Sequence, residues 1–199
     1  MDNQGNKRDT RGYANTAKNL LDGGFDGVEI HASHSYLIQQ FLSPLYNKRS
    51  DKYGGSRENR MRFFVEVLNI VHDVTLDRRV LGVRMVGDEF FPGDMKRIAK
   101  DLDQLNMIHY FNVTQASLSH TPHLNTPPMY YEHGIFVYLA SSIKKVVQKA
   151  KCLQLEEYLT PGTQRAFLPQ ATLIWSSCYE LRSQTQSLQT KLGKGGTTT

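Results

Sequence analysis

Cysteine and tryptophan are scarce in this chain, with two of the first and one of the second among 199 residues. Two cysteines, Cys152 and Cys178, build no disulfide framework, which sets aside the small secreted scaffolds and fits a reducing, cytoplasmic setting. Long hydrophobic runs are missing too. No segment approaches the ~18 apolar residues of a spanning helix, and the polar N-terminus has no signal-peptide core, so no membrane association is expected. Neither sign of charge dominates, since 24 Lys and Arg against 19 Asp and Glu leave a net charge of +5. Those cations are scattered, without a basic stripe interleaved with aromatics, so no nucleic-acid partner is expected. A metal set is absent as well. His31 and His34 make a His-x-x-His pair, but zinc needs a third ligand, and His120, His123 and the cysteines are distant in sequence.

What is present describes an ordinary globular protein, 39% hydrophobic and 22% charged. Residues 1–12 are polar and aperiodic and read as a frayed or truncated beginning. Tyr13, Ala14, Ala17, Leu20 and Leu21 then recur at helical spacing, and Gly23 and Gly24 supply a left-handed stop. The apolar run Gly27–Ile30 follows as a parallel strand, with His31, His34 and Tyr36 at its carboxyl end. In α/β folds ligands gather outside that edge of the sheet, so three polar rings there mark a candidate site. A hydrogen-bonded structural histidine is the competing account. A neutral imidazole pair can donate two N–H bonds to a carbonyl, nitro or phenolate oxygen, and a nearby tyrosine can deliver a proton.

Downstream, the long loop from Ser43 to Ser56 carries Pro44, Asn47, Asp51, Gly54 and Gly55, which are turn residues. Ser56 is placed to cap a helix beginning near Arg57, whose Met61, Phe64, Val65, Leu68 and Val71 form an apolar stripe. The run Val80–Val86 reads as a strand with one charge in its middle, Arg84. A buried arginine is costly without an anionic or strongly accepting partner, and Glu29 on the neighbouring strand is one candidate for a salt bridge. An amphipathic helix after Gly93, a strand over 107–115 and a helix over 134–148 complete a β-α-β-α-β alternation, which predicts a parallel sheet. Residues 116–131, rich in turns, would form a loop over the mouth of the fold.

The segment HASHSYLIQQFLSPLYNKRSDKYGGSRENRMRF resembles the signature region of the old yellow enzyme family of FMN-dependent NADH:flavin oxidoreductases. It carries His-x-x-His-x-Tyr-Leu, Gln-Phe-Leu-Ser-Pro and Asn-x-Arg-x-Asp-x-Tyr-Gly-Gly-Ser-x-Glu-Asn-Arg in order. The resemblance implies a TIM (β/α)8 barrel with FMN across its mouth and hydride supplied by NADH or NADPH to a small-molecule substrate. It implies that His31 and His34 bind the activating group of that substrate and that Tyr36 is the proton donor. It also implies that Arg84, in Gly-Val-Arg, contacts the flavin near N1 and O2. Ala32 and Ser35 depart from the family, whose members often have glycine there.

At 199 residues the chain is short of the ~250 of a complete barrel. From Lys151 the strand–helix rhythm breaks into a polar, Gln/Ser/Thr-rich stretch, where the family would have a Val-Gly-Arg-Ile strand and loops cradling the FMN phosphate. Codons read in a shifted frame permit Val-Phe-Ala-Val-Gly-Arg-Ile over Lys151–Tyr158. The expectation is therefore a partial FMN-dependent barrel domain over 1–150, holding the middle strands and helices, and an aberrant, disordered or frame-shifted tail over 151–199. Impaired flavin affinity and self-association through incomplete barrel edges follow from that organisation. The alternative reading is a noncatalytic remnant that binds no flavin.

Overall fold

The computed structural model describes residues 3–76, 79–90, 93–115, 135–156 and 173–176. Its centre is a five-stranded sheet in the order β1-β2-β3-β4-β5, formed by Gly27–Ala32, Val80–Val86, Tyr110–Thr114, Lys151–Glu156 and Leu173–Ser176. Every neighbouring pair is parallel, and sequence order equals spatial order. The helices are α1 (Asn3–Asp22), α2 (Leu37–Leu42), α3 (Arg57–Thr75), α4 (Met95–Gln104) and α5 (Val137–Lys144).

The two faces of the sheet differ in chemistry because side chains alternate along each strand. One face carries Ile30, Ala32, Leu81, Val83, Met85, Phe111, Val113 and Cys152, all buried in one cluster with Phe64 and Leu68 of α3, Ile98 and Leu102 of α4, and Leu139 and Ile143 of α5. Burial of each such side chain contributes roughly 1.5–3 kcal/mol, so this face holds the helices on the sheet. Met61, Phe64 and Leu68 of the expected apolar stripe are in this core. On the opposite face the strand register aligns Glu29, Gly82, Tyr110 and Lys151 in one row, and His31, Arg84, Asn112 and Leu153 in the next. That face is polar, as in the interior of a barrel open to a ligand.

Two departures from the sequence reading concern the ends. The polar opening stretch is helical rather than frayed: α1 begins at Asn3, and the helix as a whole packs along α3. Lys151–Glu156, where no apolar strand was expected, pairs with β3. Backbone pairing to β3 forms that strand, and Cys152, 2% exposed, sits in the core. The cap at Ser56 is as expected, its side chain accepting from the Asn59 N–H at 3.3 Å. The stretch 116–131, with His120 and His123, lies outside the described residues.

Candidate active site

The carboxyl end of β1 runs into a tight turn. His34 and Ser35 both have left-handed backbones, with φ of 56° and 60°, a conformation that costs side-chain-bearing residues of order 1–3 kcal/mol each. Three hydrogen bonds hold Ser35 there: its N–H donates to Gln39 Oε1 (2.5 Å), its carbonyl accepts from Gln40 Nε2 (2.6 Å), and its hydroxyl meets the Tyr46 hydroxyl (3.1 Å). The turn returns the chain into α2 and folds three rings together. The His31 ring centroid lies 5.1 Å from that of His34 and 5.1 Å from that of Tyr36. Tyr36 is 55% exposed, so its phenol is open to a ligand.

Each imidazole has a polar partner. Ser33 Oγ is 3.2 Å from His31 Nδ1, and Thr114 Oγ1, at the end of β3, is 3.2 Å from His34 Nε2. With the Ser33 hydroxyl donating to Nδ1, His31 carries its proton on Nε2. Burial, the Arg84 charge and the neighbouring His31 ring together push His34 down to about 4. Burial and Arg84 likewise lower His31, against the opposing charge of Glu29. Both rings are therefore neutral at pH 7 and able to donate rather than repel.

Arg84 sits beside His31 in the register of β1 and β2. Its Nε is buried without a hydrogen-bond partner. The salt bridge to Glu29 considered from sequence does not form: no ion pair joins the two among the described residues. Glu29 is taken by other groups. Asn112 Nδ2 donates to both its oxygens at 3.1 and 3.2 Å, and the Tyr110 phenol reaches it across β2. Gly82 makes that crossing feasible, since a Cβ there would lie 2.2 Å from the Tyr110 ring. Burial and Glu29 together raise the Tyr110 phenol well above its usual range.

The glycine-rich loop after α2 proves to be scaffold. Asn47 Nδ2 donates to the carbonyls of Phe41 (2.7 Å) and Tyr53 (2.8 Å), and Arg49 pairs with Asp51. A Cβ on Gly54 would lie 2.0 Å from the Arg49 carbonyl oxygen, and Gly55 has φ of 78°. Arg60, 6% exposed, ties the loop to Leu42 O, Gly55 O and the Asp94 carboxylate. Thr114, Ser33, Asn112 and Glu89 were not singled out from sequence. Ser33, Thr114 and Glu89 carry only a place near or beyond a strand end, and Asn112 only a polar type within a strand, signals that many inert residues share.

A polar cluster at the carboxyl ends of in-order parallel strands, with helices on the other face, defines a barrel-type α/β ligand site. Comparison with known proteins identifies the barrel. A 2-naphthoyl-CoA reductase structure superposes with a TM-score of 0.81 at 28% identity, covering 89% of this chain and 28% of that one. Morphinone reductase shares the fold at a TM-score of 0.64 and 24% identity. The fold is an incomplete TIM barrel. The model of the NADH:flavin oxidoreductase / NADH oxidase family matches residues 1–165, and the chain belongs to that family, the old yellow enzyme-like flavin oxidoreductases. Among curated relatives, the N,N-dimethylglycine/sarcosine dehydrogenase of Chromohalobacter salexigens is 44% identical over 142 residues, 68% of this chain and 20% of that protein. The putative 12-oxophytodienoate reductase 11 of Oryza sativa is 59% identical over 61 residues, 31% of this chain and 17% of that protein. The chain thus spans about a fifth of the length of such relatives. No helix among the described residues is long and apolar enough to cross a membrane.

Proposed function

We propose that the chain carries the substrate-side half of an FMN-dependent NAD(P)H oxidoreductase site that reduces an activated alkene. The carrying observation is the union of two neutral imidazoles and an exposed phenol beside a half-buried arginine whose buried Nε has no partner. The donor set fits a flavin. Arg84 would offer its buried Nε–H to a ring acceptor, and the buried, unpartnered Asn112 Oδ1 would accept from a ring N–H. When bound, FMN supplies the hydride chemistry, recharged by NADH or NADPH.

The residues of the chain do the rest. His31 and His34 donate N–H bonds to the activating oxygen of the substrate and stabilise the negative charge that develops there. A low intrinsic basicity suits that task, because an imidazole that stays neutral gives up no proton to the oxygen. Tyr36 delivers the proton to carbon from its O–H, and its exposure leaves it a route to recover one from water. Arg84 would hold its positive charge against the flavin ring. The name of the Chromohalobacter relative favours a second reading, in which a secondary or tertiary amine is oxidised and the imidazoles meet nitrogen instead of oxygen.

Anaerobic half-reactions separate these. FMN-loaded protein should absorb at about 450 nm, bleach with NADPH or NADH, and recover its colour with cyclohexenone. Tyr36→Phe should slow the recovery about tenfold or more while sparing the bleaching. Equal loss of both steps would overturn the proton-donor role, and bleaching by sarcosine without enone turnover would favour the amine reading. Protein that takes up no flavin would leave the noncatalytic remnant as the account.

A further inference from the structure

We propose that Glu89 and Gln39 form a buried positioning relay that sets the His34–Tyr36 turn; the relay is a matter of geometry, and its consequence for chemistry rests on the function proposed above. Neither residue touches the ring cluster in the described contacts, yet the path between them and it is continuous. Gln39 is 0% exposed and Glu89 is 3% exposed. Gln39 Nε2 donates to Glu89 Oε1 at 2.7 Å, while Gln39 Oε1 accepts from the Ser35 N–H at 2.5 Å. An amide can be held this way in one orientation only, since donor and acceptor ends are both used. The Ser35 N–H is thereby fixed, and with it two consecutive left-handed residues that no glycine relaxes.

The energetics make the relay more than packing. The turn has to be held against a backbone cost, and His34 and Tyr36 flank the residue that bears it. Glu89 belongs to the loop after β2, whose Gly87 N–H donates to the Thr114 carbonyl at 2.8 Å. Thr114 in turn meets His34 through its hydroxyl. One loop therefore reaches the turn by two routes, through Gln39 to the backbone of Ser35 and through Thr114 to the ring of His34. Glu89 Oε2 is buried and unpartnered, and burial raises the carboxyl, with Gln39 and Ser43 pulling the other way. A neutral acceptor suffices at this position, so glutamine should replace glutamate.

The test uses the full chain labelled with nitrogen-15, and needs no flavin for its first arm. In the wild type the Ser35 amide should exchange with solvent about a hundredfold or more slower than a free amide. Gln39→Met should speed that exchange at least about tenfold and shift the His31 and His34 imidazole signals, with His72 and His109 unmoved. Glu89→Leu should do the same in smaller measure, and Glu89→Gln should restore the wild-type spectrum. A Ser35 amide that exchanges freely in the wild type, or His34 signals unchanged in Gln39→Met, would overturn the relay. Should Gln39→Met fail to fold, the wild-type exchange rate and the contrast between Glu89→Leu and Glu89→Gln decide the question. In FMN-loaded protein Gln39→Met should slow enone reduction and leave flavin reduction by NADPH within about twofold. Failure to bind flavin would strike the proposed function alone, because the exchange arm stands without it.

Discussion

At the scale of single residues, the site is an exercise in keeping histidine neutral. Burial first, then the permanent guanidinium of Arg84 and the second imidazole, hold His34 at about 4. Its folded value is below its unfolded one, so the unfolded chain binds more protons between pH 6.5 and about 4. Stability should be flat above pH 6.5 and decline as pH falls towards 4, as urea denaturation at a series of pH values would reveal. His34→Gln should flatten that decline, whereas a slope unchanged by the substitution would place the titration elsewhere. The ring residues were legible in the sequence because His-x-x-His-x-Tyr followed a strand. The partners of Arg84 were not. Glu29 looked like its counter-ion on strand adjacency, yet the register sets Glu29 beside Gly82, whose missing side chain lets Tyr110 take that carboxylate. A two-residue offset along one face of the strand decides such a pairing, and hydropathy carries no register across strands.

At the scale of elements, the loop between α2 and α3 explains why its polar residues are where they are. Asn47 replaces two backbone partners at once, so Asn47→Ala should cost about 2–4 kcal/mol of stability, measured by chemical denaturation. Gly54→Ala should be worse than an ordinary surface change, because the new methyl group would lie 2.0 Å from the Arg49 carbonyl oxygen, a backbone atom that cannot easily give way. A loss below about 0.5 kcal/mol in either variant would mean that the loop is not the scaffold described. Asp103 is the comparable tie between α4 and the segment that leads into β4. It is 1% exposed and accepts from the N–H groups of Gln148, Lys149 and Ala150. Burial would raise its carboxyl, and those three N–H groups outweigh it and hold it below the ordinary value. Sequence showed α3, β2 and α4 closely, since the apolar patterning is strong in all three and the Ser56 cap adds to it at α3. It missed the early start of α1, which its apolar spacing does not mark, and the strand at Lys151, which pairs with β3.

At the scale of the whole molecule, the fold is a barrel segment. Among the described residues β1 and β5 each pair on one side only, and the polar face that a closed barrel would enclose carries Glu29, His31, Arg84 and Lys151. We propose self-association through these edges. Sedimentation velocity should show species that grow with concentration, and a monomer unchanged over a hundredfold dilution would contradict it. The shifted-frame reading of residues from about 151 predicts a transcript whose alternative frame continues the family pattern, and an unrelated frame would dispose of it. The central claim, that the ring cluster and Arg84 face a bound flavin, meets its most direct test in a fluorescence titration of FMN with wild-type chain and Arg84→Met. The account expects saturable quenching by the wild type and binding at least about tenfold weaker in the variant, a difference of about 1.4 kcal/mol. Equal affinity in the two proteins, or no quenching by either, would contradict it.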